Sequence, residues 1–389
     1  MERGIAEVEG FKCGVGHGGI KEGVNKPDVL VVFSERPCNF AVVLTENDIK
    51  AAPVKVVSEM VKTVENVNGI IANSGNANAC TGSYGIKDAK RMQEMVSSLL
   101  GGNFLVASTG VIGEKLPMDR VEKGIKEAVS NLGKAKGYEP AVSIMTTDTF
   151  PKTSFRYVDG FSLGGIAKGA GMIDPSMATM LSFIVTDAYV EKGFLEEALR
   201  EAVKESFNSI TVDGDMSTND CVFLLSNGAS GVKIDSSNFD VFLEALKDIT
   251  KELAYQIVKD GEGSTKVIRI SVSGARTVEQ AKSVARKVAL SPLVKTAVYG
   301  NDPNWGRIIA SAGAAGVGIE ESKFSLFIGD HLLFKGERVD YDEAEVSHYM
   351  RESEEVLIFI DLGLGTESFE YLTCDLTCDY VKINAEYRT

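Results

Sequence analysis

Histidine is scarce in this chain: His17, His331 and His348 are all that 389 residues contain. They are far apart in sequence, so a triad built on histidine is poorly supplied. Six cysteines (Cys13, Cys38, Cys80, Cys221, Cys374, Cys378) are too scattered to form a disulfide framework, and reduced thiols fit better. Cys374 and Cys378 are close in sequence, but no second Cys/His pair completes a zinc site. Long apolar runs are missing. Met180–Val185 and Val356–Leu364 are strand-sized, far short of the roughly 20 residues of a membrane-spanning helix. Basic residues are outnumbered 41 to 55, and the formal charge of −14 disfavours nucleic acid and anionic membrane surfaces. No P-loop, H-E-x-x-H, EF-hand or G-x-S-x-G sequence is present. The opening MERGIAEVEG is acidic and lacks an apolar core, which predicts no signal peptide and a cytoplasmic protein.

What is present is an ordinary globular composition, 44% hydrophobic and 25% charged, with length enough for two or three domains or one large sandwich with an appendage. Val29–Phe33, Ala41–Leu44, Gly69–Ala72 and Asn103–Ala107 read as strands, and Lys55–Val64, Ile86–Leu100 and Met118–Leu132 as helices. Around residue 179 the pattern is strand-rich. Beyond Asn238 it changes to helix, strand, helix, which suggests a smaller domain to about residue 350 before the last forty residues return to strands. Gly14–Gly19 matches G-x-G-x-x-G. No apolar strand precedes it, and Gly23 and Pro27 oppose the helix a dinucleotide site needs, so a flexible loop is the better reading.

Gly169–Leu181, GAGMIDPSMATML, holds the sharpest candidate. Asp174-Pro175-Ser176 reads as a turn, and Met180–Val185 as a buried strand. A hydroxyl at Thr179, behind a Gly-rich loop and at the head of that strand, stands where a chain could cut itself. Cutting before Thr179 would create an α-amine with a pKa of about 8, a base for its own hydroxyl. Ser108-Thr109-Gly110 after a strand is either a turn cap or an oxyanion hole. Lys168, inside the apolar run GGIAKGAGM, needs a partner; with the hydroxyls of Met145–Thr149 it would suit a carboxylate. Glu262, in the loop DGEGSTK, either binds an ammonium or belongs to a plain helix-to-strand connection.

Together NSGNANACTG (Asn73–Gly82), STGVIG, MTTDTFPK, KGAGMIDPSMATML, TVDGDMSTND, DGEGSTK, YGNDPNWGR and the terminal INAEYRT span the chain. In these blocks and their order the chain resembles the arginine-biosynthesis glutamate N-acetyltransferase family, also called ornithine acetyltransferase. The resemblance implies an α/β fold, an αββα four-layer sandwich with a smaller C-terminal α/β domain. It also implies self-cleavage between Ala178 and Thr179 into an α chain (1–178) and a β chain (179–389), assembled as an α2β2 heterotetramer. Thr179 would carry acetyl from N-acetylornithine to glutamate, releasing ornithine. Thr109 and Gly110 match the family's oxyanion hole. Thr146 (or its neighbour Thr147), Lys168, Thr179, Glu262, Asn384 and Thr389 match its substrate contacts. No metal or cofactor is implied. Acetyl-CoA as a second acetyl donor, and an N-terminal-nucleophile aminopeptidase on the same scaffold, are the alternatives.

Overall fold

The computed structural model describes residues 3–174 and 180–386. Gly14 and Gly16, expected in a flexible loop, instead lie in a strand, β1 (Phe11–Gly16), paired antiparallel with β2 (Val29–Leu44). The cause is a close helix. A Cβ at Gly14 would sit 2.0 Å from the Ala128 carbonyl oxygen, and one at Gly16 2.1 Å from that of Gly124. The helix Met118–Ser130 therefore packs directly on the strand backbone, and period-two glycines make room for it. The dinucleotide alternative has no structural counterpart, since this stretch opens no helix.

The two short runs at Val29–Phe33 and Ala41–Leu44 are also one strand. β2 is 16 residues long and passes through Pro37. Its first part pairs with β3 (Val67–Asn73) and its last part with a distant strand, with a register irregularity between Phe33 and Cys38. Next come α1 (Ala52–Thr63), α2 (Gly82–Leu100), β4 (Phe104–Ser108), α3 (Met118–Ser130) and α4 (Glu139–Val142). After these follow β5 (Lys152–Val158), β6 (Phe161–Lys168), β7 (Leu181–Thr186), β8 (Tyr189–Val190), α5 (Lys192–Lys204), β9 (Cys221–Ser226), β10 (Lys233–Ile234) and α6 (Phe239–Lys259). The sheet order is β4-β3-β2-β9-β7-β6-β5, with β3/β4 and β7/β9 parallel and the other neighbours antiparallel.

β7 and β9 are buried at every position, as strands covered on both faces must be. One core cluster joins Val29–Val32 and Ile70 with Phe183, Val185, Phe223 and Leu225, and continues into Met92 and Val96 of α2 and Val121 and Ile125 of α3. On the opposite side α6 lies on β6, close enough that a Cβ at Gly165 would meet Ile249 and Leu253. Helices thus flank a doubled sheet, giving the αββα layering.

These elements form one compact unit, made of the chain up to Asn208 with Asp215–Ile257. A second unit contains Ser209–Gly214 and the described chain from Val258 to residue 386. It holds β11 (Val267–Ala275), α7 (Val278–Ala289), α8 (Pro292–Tyr299), α9 (Trp305–Gly313), β12 (Ser325–Ile328), β13 (His331–Lys335), α10 (Glu343–Glu352), β14 (Glu355–Asp361), β15 (Glu367–Cys374) and α11 (Cys378–Glu386). Its sheet runs β13-β12-β14-β11-β15. β14 and β15 both pair with β11, so this unit reaches past residue 350. The chain ends its described part in α11, a helix where the sequence suggested only strands. No helix among the described residues is long and apolar enough to cross a membrane.

Candidate active site

β3 and β4 run parallel with Asn73 opposite Ser108, so their carboxyl ends deliver two loops to one edge of the sheet. The loops grip each other: Thr109 N–H donates to Asn73 O at 3.0 Å, and Ala77 N–H to Val111 O at 2.9 Å. Asn219 clamps both, its Nδ2 donating to Ala77 O at 2.7 Å and Ser108 O at 2.8 Å. Gly110 has φ +130°, and a Cβ there would lie 2.3 Å from the Gly75 carbonyl carbon and 2.5 Å from Asn76 N. Only glycine fits such an approach. Thr109 is 6% exposed, which a surface turn cap would not be.

Lys168 ends β6 and is 5% exposed; its Nζ donates to Thr109 Oγ1 at 3.3 Å. The charge expected to need a partner has one in the same unit. Asp148 accepts from Gly169 N–H at 2.6 Å, from Thr146 N–H at 2.8 Å and from Lys152 Nζ at 2.8 Å. Burial alone would raise the Asp148 carboxyl. The ammonium groups of Lys152 and Lys168, with these hydrogen bonds, outweigh burial and hold it well below the usual carboxylate range. Lys26 donates to Met145 O at 2.7 Å, and burial, aided by the Lys168 charge, lowers its pKa against the opposing pull of Asp148. Thr146 and Thr147 are both half-buried, so accessibility does not separate them.

The segment joining β6 to β7 includes Ala178 and Thr179, which lie outside the described residues, as does Thr389. The frame around that segment is defined. Lys168 stands opposite Leu181 in the β6/β7 ladder, and Leu181 opposite Cys221 in the β7/β9 ladder. Met180 N–H donates to Asp220 Oδ1 at 3.0 Å, and Cys221 N–H to Met180 O at 3.1 Å.

In the second unit, Asn384 Nδ2 of α11 donates to Glu262 Oε2 at 2.9 Å, across 122 residues of sequence. The connection is built by Gly263, whose φ is +68° and whose missing Cβ admits Tyr380 N, and by Thr377 Oγ1, which donates to Gly263 O at 2.7 Å. The structure thus joins Thr109, Gly110, Lys168 and, through Asp148, Thr146 in one unit, and Glu262 with Asn384 in the other.

The ArgJ family profile matches residues 12–389. The chain belongs to the ArgJ family. It is 45% identical to the arginine biosynthesis bifunctional protein ArgJ of Symbiobacterium thermophilum, over 99% of this chain and 98% of that one. It is 44% identical to a glutamate N-acetyltransferase of Methanopyrus kandleri, over 98% and 99% of the two chains. Among solved structures, the bifunctional ArgJ of Bacillus halodurans superposes with a TM-score of 0.52 at 40% identity, covering 54% of this chain and all of that one. Membership agrees with the glutamate N-acetyltransferase resemblance drawn from the motif blocks.

Sequence reasoning quoted the blocks holding Asp148, Lys152, Asn219 and Asp220 without assigning these residues work. The signal available was a buried-type context. Asp148 and Lys152 are charges four apart inside MTTDTFPK, and Asn219-Asp220 sits directly before the apolar strand CVFLLS.

Proposed function

We propose that the chain is an acetyltransferase of arginine biosynthesis that cuts itself between Ala178 and Thr179 and then moves acetyl from N-acetylornithine to glutamate. The observation carrying this reading is the placement of Lys168 and Thr109, 3.3 Å apart, at the sheet edge where β7 starts two residues after Thr179. Residues 179–389 make up 54% of the chain, the same share that the whole Bacillus halodurans chain covers.

In the first step Thr179 Oγ bonds to the Ala178 carbonyl carbon, the C–N bond breaks and the Oγ proton passes to the freed nitrogen. Water then cleaves the ester, leaving the Ala178 carboxylate and a Thr179 with free amine and hydroxyl. In transfer, that amine takes the Oγ proton as Oγ attacks the acetyl carbon of N-acetylornithine, and it returns the proton to the departing ornithine nitrogen. The glutamate amine then attacks the acetyl ester and Oγ regains a proton. Thr109 and Gly110 face the charge that develops on the carbonyl oxygen. Lys168 and Thr146 serve the substrate's carboxylate end, and Glu262 with Asn384 its ammonium end, Thr389 completing the contacts. No step calls for a metal or cofactor. The two halves remain together as an α2β2 assembly in the cytoplasm. Relatives are named bifunctional, and acetyl-CoA as an additional donor to glutamate would supply a second activity here.

The purified protein should show two bands on a denaturing gel, the smaller amino-terminal one ending at Ala178 and the other beginning at Thr179. Thr179→Ala should give one band and no transfer. A single full-length band from the unsubstituted protein, with normal transfer, refutes the mechanism. Acetate release independent of glutamate would instead assign a hydrolase, and transfer with acetyl-CoA alone would establish the second donor.

A further inference from the structure

Lys26 lies in the loop between β1 and β2, half-buried, and takes no part in the mechanism above. Its loop is pinned from within. Asp28 accepts Gly18 N–H at 2.6 Å and Ile20 N–H at 2.7 Å, and His17 Nδ1 donates to Lys26 O at 2.7 Å. The Lys26 ammonium donates to Met145 O at 2.7 Å. The same peptide carries the Thr146 nitrogen, which covalent geometry keeps within about 5 Å of that ammonium. Thr146 N–H and Gly169 N–H both donate to Asp148, so the turn that Lys26 grips is tied to the residue after Lys168. The Lys168 charge acts on Lys26. Among the described residues no carboxylate forms an ion pair with Lys26: the loop's own N–H groups engage Asp28, and Lys152 with two N–H groups engages Asp148. An ammonium has three donors, and Met145 O takes one of them.

Resting on the acetyltransferase reading above, we propose that Lys26 selects the acceptor: it binds the side-chain carboxylate of glutamate, while Lys168 and Thr146 keep the α-carboxylate that donor and acceptor share. The two half-reactions differ in charge. N-acetylornithine brings one carboxylate and one ammonium. Glutamate brings two carboxylates, and its amine must be neutral to attack, so the reacting acceptor is doubly negative. One cation serves the donor, and the acceptor calls for a second. Only three carbon atoms separate the two carboxyl groups of glutamate, which suits a pair of cations close enough to feel each other. Burial and the charges of Lys168 and Lys21 weigh against the Lys26 ammonium, whereas Asp148 and Asp28 favour it. A bound carboxylate joins the favourable side. Lysine's compact charge and rotatable donors also fit a group that is present in only one of the two half-reactions.

Lys26→Met tests this, because it keeps the apolar stem and removes the charge. With both substrates varied, kcat/KM for glutamate should fall about tenfold or more, the scale of a lost charge-assisted hydrogen bond, and the loss for N-acetylornithine should be several-fold smaller. Glutamine, neutral at the side-chain end, is the second probe. The unsubstituted enzyme should prefer glutamate to glutamine as acceptor about tenfold or more, Lys26→Met should erase most of that preference, and Lys26→Arg should restore part of it. Equal losses for the two substrates, or an unaltered glutamate-to-glutamine ratio in Lys26→Met, would overturn the proposal and leave the acetyltransferase reading standing. An unsubstituted enzyme that takes both acceptors equally overturns it without any variant. An unsubstituted protein that transfers no acetyl would defeat the reading itself. Should Lys26→Met not fold, Lys26→Gln, whose amide can still donate to Met145 O, takes its place with the same outcomes.

Discussion

Lys152 is the place to test how the site is held. Its ammonium and the Asp148 carboxylate are 2.8 Å apart with both side chains 0% exposed. Replacing Lys152 by Met leaves a buried carboxylate with the Gly169 and Thr146 N–H groups and the Lys168 charge, but without its nearest counter-ion. Breaking a buried pair on one side costs about 3–5 kcal/mol, or a fall of about 6–20 °C in Tm at roughly 2–4 °C per kcal/mol for a body of this size. Asp148→Asn combined with Lys152→Met removes both charges and should recover most of the loss. The pH dependence has a fixed sign. The folded Asp148 carboxyl lies below its unfolded value of about 3.9, so the unfolded state takes up the proton first. The pair's contribution is complete above that value and fades as pH falls toward the folded one. Thermal melts of the four proteins of the cycle at pH 7 and at acid pH measure all of this. A Lys152→Met loss below about 1 kcal/mol, or a double variant no better than the single, would refute the reasoning.

Gly110→Ala forces a Cβ against the Gly75–Asn76 peptide at an unfavourable φ, so it should lower kcat roughly 10²–10³-fold, the scale of losing one oxyanion donor, in an acetyl-transfer assay. Glu262→Gln should leave self-cleavage intact and raise KM for N-acetylornithine about 10–100-fold, as expected for a lost charge-assisted hydrogen bond of ~1.5–3 kcal/mol. A thiol reagent added to the folded protein should modify the exposed Cys80 and Cys378 quickly and the four buried cysteines only on unfolding. Burial pushes the Cys38 thiol up to about 12 and raises those of Cys13, Cys221 and Cys374 as well, and the thiolate is the reactive form.

The helices and buried strands were legible in the sequence because each has its own period: α2 and α3 differ from their expected bounds by a few residues at most. What escaped depended on contacts between distant segments. Nothing local in Phe11–Gly16 says that Gly124 and Ala128 will lie on it, and so its two alternate glycines, Gly14 and Gly16, read as a loop. Val29–Phe33 and Ala41–Leu44 read as two strands, and only the partners on either side of Pro37, β3 and β9, show one strand continuing. The site divides in the same way. Lys168 announces itself as a charge in apolar company, while Thr109 and Gly110 stood open between cap and oxyanion hole until the motif blocks were taken together. Asp148 and Asp220 do not announce themselves, because an aspartate in a polar loop becomes informative only once its burial is known.

The order β2-β9-β7-β6 has a consequence for a chain cut before Thr179. β2 and β6 belong to the amino-terminal piece, while β9 and β7, both from the other piece, lie side by side between them. In this sheet the fragments are shuffled like cards in one deck, and neither carries all of its strands. Separating them means unzipping the ladders on both sides of the inserted pair, which amounts to unfolding. The cut would thus be a local event with no loosening of the sheet around it, and halves synthesised apart would have to meet before this sheet could form.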